Sequence, residues 1–369
     1  MRALEQEISA DQDPKARILL GLWIFSVLSL VLIALGSDKD GSVSITNMAH
    51  KFYPPKHPPP PPPPPPPQEP PSPPTSSKAD HEKSSEDPEL EEALAIVSAK
   101  HKTVIIAFVD KAYTEGDTPM LDIFLDGFWI GEDTRKLIKH LLIVAVDQTA
   151  YDRCTLLQLH CYKLKTEGVE YDGAKKPFMS DDFMKMMWRR ILFLGDVLKH
   201  GYNFIFTDMD VLWLGNPFPL LKDEHLDLQV SVDYFNGNPW SEDNPINTGF
   251  YMMRSNNKTI ALYDKWYGEK DNSTRMKEQH YLYNLMRGGE FEKLGIRVRF
   301  LDTRFFSGFC ENSKDVKKVS TVHANCCLSI RAKEAELIRV LDDWQRFKAS
   351  NDEDKSEFQW SDHKACRNS

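Results

Sequence analysis

Four short apolar runs, each closed by an aspartate, set the rhythm of this chain. Residues 103–109 end at Asp110, residues 141–146 at Asp147, residues 203–207 at Asp208 and residues 228–232 at Asp233. Helical or loop-like segments lie between them. The clearest helix is predicted over residues 183–200. There Phe183, Met184, Met187, Trp188, Ile191, Leu194, Val197 and Leu198 recur at helical spacing. His200 then gives a basic last turn and Gly201 a left-handed stop. Further short strands are expected at residues 250–253, after a turn at Pro245 to Gly249, and at residues 319–322. This cadence predicts an α/β fold, a mostly parallel mixed sheet flanked by helices. It occupies residues 90–348, with residues 349–369 as a C-terminal tail.

The first quarter of the chain is built differently. Residues 18–35 form an uncharged apolar stretch of 18 residues, just long enough to cross a bilayer. Lys15 and Arg17 flank it on the N-terminal side, which predicts residues 1–17 as cytosolic and residues 18–36 as an uncleaved signal anchor. A cleaved signal peptide fits less well, because the run is long for one and no small-x-small site follows. Residues 37–89 are rich in Pro, Ser, Lys and Glu, with unbroken proline from Pro58 to Pro67. Such a segment forms extended polyproline II with no core to bury, and reads as a disordered stem.

Chemistry concentrates at one strand end. The chain contains four Asp-x-Asp triplets, at Asp11/Asp13, Asp38/Asp40, Asp208/Asp210 and Asp352/Asp354. Only the third follows a helix, a tight turn and a buried strand. In extended chain, positions i and i+2 point the same way, so Asp208 and Asp210 converge at the carboxyl end of a strand, where open α/β sheets bind ligands. Paired carboxylates suit Mn²⁺ or Mg²⁺, hard cations that share oxygen ligands with a substrate diphosphate. His323, closing the strand at residues 319–322, reads either as a hydrogen-bonded structural residue or as an imidazole offered to the same cation. Asp147 reads equally as a helix cap. The Glu278-Gln279 pair reads from composition as solvated surface.

Net charge and cysteines narrow the setting. A formal net charge of −9 argues against a nucleic-acid partner. All 6 cysteines lie beyond the apolar stretch, as an oxidising lumen would permit. Six cysteines allow about 15 pairings, and spacing does not choose among them. Sequons at Asn257 and Asn272 fit the same compartment.

At this point the residues match a known family. Asp147, Tyr151 and Cys154, His160-Cys161-Tyr162, the run from Gly201 to Trp213, Asn216-Pro217-Phe218, Asn247-Thr248-Gly249-Phe250, Gly308-Phe309-Cys310-Glu311 and His323-Ala324-Asn325-Cys326-Cys327 resemble the plant nucleotide-diphospho-sugar transferase domain proteins. These are similar to glycosyltransferase family 77, which includes arabinosyl- and xylosyltransferases of the plant cell wall. The resemblance implies a GT-A, Rossmann-like fold and a retaining transfer from a nucleotide sugar, a UDP-linked pentose being the family's expectation. It implies a polysaccharide or glycoprotein acceptor and a single-pass type II Golgi membrane protein with a lumenal catalytic domain. It makes Asp208 and Asp210 the metal-binding motif, with His323 as third ligand, and places Arg190, Asp233, Asn247 and Gln279 along the donor and acceptor side. One departure stands out: Leu214-Gly215 occupies the place where the resemblance leads one to expect a basic residue.

Two other readings compete. The run from Asp208 to Leu212 also fits the strand-end pattern of haloacid-dehalogenase-type phosphatases, in which the first aspartate is a phosphoryl nucleophile. That motif opens its domain, whereas two strands and a long helix precede it here. The second alternative is a catalytically silent homologue that binds glycans or scaffolds other enzymes.

Overall fold

The computed structural model describes residues 87–165, 181–272 and 276–367, all within one unit, Asp80–Ser369. The expectation of a transmembrane helix is corrected: among the described residues, no helix is long and apolar enough to cross a membrane. The two longest helices, Asp181–Lys199 and Ile330–Ala349, carry charged residues along their length and bury only one stripe. Residues 18–36, on which the span was placed, and residues 37–86 of the stem lie outside the described residues.

Among the described residues, ten strands form two sheets. The large one has the order β3-β2-β1-β4-β7-β6-β8. These strands are β1 (Thr103–Val109), β2 (Leu141–Ala145), β3 (His160–Lys163), β4 (Asn203–Thr207), β6 (Leu228–Val232), β7 (Ile246–Met253) and β8 (Val298–Phe300). β3, β2, β1 and β4 run parallel. β7 runs antiparallel to β4 and β6, and β8 is parallel to β6. The small sheet joins β5 (Val211–Trp213), β10 (Thr321–His323) and β9 (Phe306–Gly308).

Strands buried on both faces explain the near-continuous apolar runs of the sequence. Alternate residues of β1 feed opposite layers. Ile105, Ala107 and Val109 pack with helices α2 (Met120–Ile130), α3 (Gln148–Leu156) and α8 (Ile330–Ala349). Val104 and Ile106 pack instead with α1 (Pro88–Val97), α4 (Asp181–Lys199), α5 (Asn257–Gly268), α6 (Glu278–Arg287) and α7 (Glu290–Leu294). Fully burying one such aliphatic side chain stabilises the fold by roughly 1.5–3 kcal/mol, so the two layers account for the sheet's central position.

Two features of this frame build the site. Strands β1, β2 and β4 all point their carboxyl ends the same way, which gathers Asp110, Asp147 and Asp208 at one edge. Strand β7 then departs from regular pairing with β6. Tyr251 pairs with Val230, but the next pairing is Asn247 with Ser231, so residues 248–250 leave the β6 ladder. They stay close to β4, where Phe250 pairs with Thr207 and the Asp208 amide donates to the Gly249 carbonyl at 2.7 Å. Beyond α8, the segment expected as a tail carries α9 (Asp352–Glu357) and α10 (Lys364–Arg367). Cys366 there is buried and bonded to Cys327.

Candidate active site

Strand β4 delivers Asp208 just past its last paired residue, and β5 begins immediately after Asp210. Asp210 is fixed because its strand pairs with β10: His323 lies opposite Val211, and the Ala324 amide donates to the Asp210 carbonyl at 2.9 Å. The imidazole Nε2 stands 3.3 Å from Asp210 Oδ1. Asp208, Asp210 and His323 each present one ligand atom, and these atoms lie within 4.8 Å of one another.

Gly249 makes this convergence possible. A Cβ there would lie 2.3 Å from His323 Cε1, 2.9 Å from Asp208 Oδ2 and 3.0 Å from Asn247 Oδ1. Only a residue without a side chain lets the β7 backbone sit against both acid and imidazole. Two carboxylates and an imidazole around a glycine cradle fit a divalent cation that accepts mixed oxygen and nitrogen ligands.

Two cations balance the acids. Arg190, buried on α4, donates from Nη1 to Asp208 Oδ1 at 3.1 Å and pairs through Nη2 with Glu278. Its guanidinium also lies 4.7 Å over the Phe206 ring. Lys333, on the first turn of α8, places Nζ 2.6 Å from Asp210 Oδ2. Burial pushes the Asp208 carboxyl up to about 6 against the pull of Arg190, with Asp210 adding to the rise. Burial acts on Asp210 in the same direction, but Lys333 and His323 overcome it and hold that carboxyl well below the usual range. Reciprocally, burial disfavours the His323 and Lys333 cations, yet Asp210 raises both above their ordinary values. The Tyr113 phenol is pushed well above its usual range by burial and by Asp210, Asp110 and Asp208. It stays a neutral O–H donor.

The remaining expected positions form a second tier. The Gly249 amide donates to Asn247 Oδ1 at 2.8 Å, and Asn247 Nδ2 donates to Asp233 Oδ1 at 2.8 Å. Asn325 Nδ2 reaches the same oxygen at 2.9 Å. Gln279 Oε1 accepts from the Thr248 amide at 3.0 Å, fastening α6 to the displaced part of β7. The structure thus gathers Asp208, Asp210, His323 and Arg190 directly, and joins Asn247, Asp233 and Gln279 to them through β7. Asn257 stands apart: it is exposed at the start of α5, beyond the end of β7 where Met253 pairs with Phe204. The Asn272 side chain and its sequon partners lie outside the described residues.

Several readings change. Glu278 is only 3 % exposed and ion-paired to Arg190, so it belongs to the site and not to solvated surface. Asp147 is the cap of α3, accepting from the Ala150 amide at 2.9 Å and from the Lys111 amide at 2.7 Å. Leu214 is core, and a Cβ on Gly215 would lie 3.1 Å from the Val319 carbonyl. The place expected to be basic is therefore filled by an apolar core side chain and a glycine packed against the approach to β10. Lys333 escaped sequence reasoning. Its only signal was a charge placed three and four residues before Glu336 and Leu337, on the stripe that α8 buries.

The model of one family, nucleotide-diphospho-sugar transferase, matches residues 136–337, which contain both acids, Arg190, Lys333 and His323. An uncharacterized protein of Arabidopsis thaliana is 54% identical over 287 residues, covering 76% of this chain and 84% of that protein. A second uncharacterized Arabidopsis thaliana protein is 39% identical over 275 residues, covering 74% of this chain and 72% of its own length. Beta-arabinofuranosyltransferase RAY1 of the same plant is 26% identical over 233 residues, covering 59% of this chain and 41% of that protein. On this match and these relatives, the chain belongs to the nucleotide-diphospho-sugar transferase family and is a glycosyltransferase that uses a nucleotide-sugar donor.

Proposed function

We propose that this glycosyltransferase is metal-dependent and retaining, and moves a pentose from a UDP-sugar to a cell-wall glycan or glycoprotein acceptor in the Golgi lumen. The observation that carries the reading is the Asp208–Asp210–His323 cluster closed by Arg190 and Lys333. Asp208, Asp210 and His323 would hold Mn²⁺ or Mg²⁺. Bound there, the cation supplies Lewis-acid stabilisation of the leaving diphosphate, worth several kcal/mol at the transition state.

The chain's own groups do the rest. Lys333 and Arg190 keep positive charge beside the acids, so a diphosphate entering the site meets cations already desolvated and oriented. Asp233 is held by Asn247 and Asn325, and Glu278 is ion-paired to Arg190. Both carboxylates are engaged by protein partners, and front-face substitution, in which a donor phosphate oxygen takes the acceptor's proton, needs neither of them as nucleophile. RAY1 is named as an arabinofuranosyltransferase, which favours a pentose donor here. The disulfides Cys154–Cys161, Cys310–Cys326 and Cys327–Cys366 support a lumenal setting, since an oxidising compartment sustains them.

The test is a panel of UDP-sugars with and without Mn²⁺, read as UDP release. UDP-pentose turnover that depends on Mn²⁺ and is lost in Asp208→Asn and Asp210→Asn supports the reading. Metal-independent turnover, or neither turnover nor a thermal shift with any nucleotide sugar, refutes it; the latter would favour a silent scaffold.

A further inference from the structure

The loop from Asp233 to Pro245 joins β6 to β7 at the edge of the site and shows two large aromatic rings to solvent. Tyr234 is 54 % exposed and Trp240 58 % exposed. Among the described residues neither ring makes an aromatic or cation–π contact. Trp129 is comparably exposed at 51 %, but its face is covered by the Arg135 guanidinium at 4.4 Å.

This loop is rigid by construction. Asn244, next to last in the loop, is fully buried, accepts from the Asn236 amide at 2.9 Å, and donates to the carbonyls of Asn238 at 2.9 Å and Ser241 at 2.8 Å. The Asn236 and Asn238 side chains each accept from the amide two residues on, the Asx-turn pattern, and Gly237 turns the chain with φ +88°. Outside anchors hold both halves. The Phe235 amide donates to Glu311 at 2.7 Å, and the Phe300 amide to the Pro239 carbonyl at 2.8 Å. A segment that spends this many polar groups on its own shape holds its exposed rings in place before any partner arrives, which lowers the entropy cost of binding.

Position and charge select the partner. Tyr234 follows Asp233, whose carboxylate is hydrogen-bonded to Asn247, and Asn247 in turn to Gly249 beside the acid pair. Residues 233–245 contain Asp233, Glu242 and Asp243 but no lysine or arginine. Arg287, on α6, is paired with Asp243 at 2.8 Å. Amphipathic rings with an acidic surround suit a ligand with apolar C–H faces and neutral hydroxyls, and repel anionic ones.

We propose that Tyr234 and Trp240 form the acceptor rim of this enzyme, stacking on the rings of a neutral saccharide whose reacting hydroxyl is turned toward Asp233. The assignment rests on the transferase reading above and adds the acceptor's chemical class to it. The experiment uses the full chain and follows its fluorescence and saturation-transfer NMR with xylobiose, arabinobiose, galactobiose and cellobiose as neutral probes. Trigalacturonic acid and an oligohydroxyproline peptide are the comparison probes. At least one neutral disaccharide is expected to bind, about tenfold or more weakly in Tyr234→Ala and in Trp240→Ala. Tyr234→Phe, which keeps the ring, should retain most of the affinity. Trp129→Ala should bind as the parent does.

Failure to bind any neutral disaccharide, equal binding by the alanine variants, or ring-dependent binding of only the acid or the peptide overturns the proposal. A parallel thermal shift with UDP and Mn²⁺ separates the two readings. If UDP binds and the saccharides ignore the rings, the acceptor rim alone fails. If UDP with Mn²⁺ does not bind, the metal–donor reading fails.

Discussion

Replacing Gly249 with alanine tests the site without altering any charge. Non-bonded carbons approach to about 3.5–4.0 Å, whereas the new Cβ would lie 2.3 Å from His323 Cε1. The imidazole must therefore retreat by more than about 1 Å, or the backbone must yield. The backbone is held on both sides, by the Asp208 amide at 2.7 Å and by Asn247 Oδ1 at 2.8 Å. Metal ligands tolerate shifts of only about 0.2 Å. Overpacking of this kind costs roughly 1–3 kcal/mol in stability, and a misplacement of ~1 Å costs about 10²-fold in rate. Gly249→Ala should thus lower Mn²⁺ affinity at least ~10-fold and kcat/KM about 100-fold, while the protein remains folded. Mn²⁺ titration by electron paramagnetic resonance, turnover of a UDP-sugar and urea unfolding measure the three quantities. A variant that binds Mn²⁺ within twofold of the parent and turns over normally would show that His323 and Asp208 do not share a cation.

Other perturbations address the charges and the frame. Lys333→Met leaves Asp210 buried beside one fewer cation, so unfolding free energy should drop by about 3 kcal/mol, and Mn²⁺ should restore more of it than it adds to the parent. Equal stability of parent and variant in EDTA would contradict the ion pair. Burial, with Asp147 nearby, pushes the Asp110 carboxyl up to about 6 from 3.8. A raised acid keeps its proton in the folded state where the unfolded chain has lost it, so stability falls as pH rises from about 4 to about 6. Asp110→Asn keeps a capping side chain and should gain on the parent across that window, by up to on the order of 3 kcal/mol; a pH-independent difference in urea unfolding would refute the sign. Non-reducing peptide mapping should recover Cys154–Cys161, Cys310–Cys326 and Cys327–Cys366 as linked peptides, and any other pairing would place the C-terminal helices wrongly on α8.

Some of this architecture was legible because it depends on neighbours in the chain. Strand β4, helix α4 and the turn between them follow from apolar spacing and from His200-Gly201, whereas Asp208 and Asp210 sit in a turn closed by the Val211 amide on the Asp208 carbonyl, so strand alternation does not set their common direction. Glu278 was misread for the opposite reason. Its place beside Arg190 depends on how α6 packs against α4 and β7, and nothing within ten residues encodes that. The same holds for Cys327 and Cys366, whose pairing depends on how the segment beyond α8 folds back along that helix, where the Ala365 amide meets Glu336.

By itself, then, the sequence determined the α/β cadence, the strand-end acids and, through its family likeness, the residue types around them, since periodicity and side-chain chemistry are local properties. Tertiary structure alone decided that β5 pairs with β10, that residues 248–250 leave the β6 ladder, and that Lys333 on α8 reaches Asp210. Strand order and register set those contacts, and their free energy comes from burial and ion pairing between segments that the chain keeps far apart.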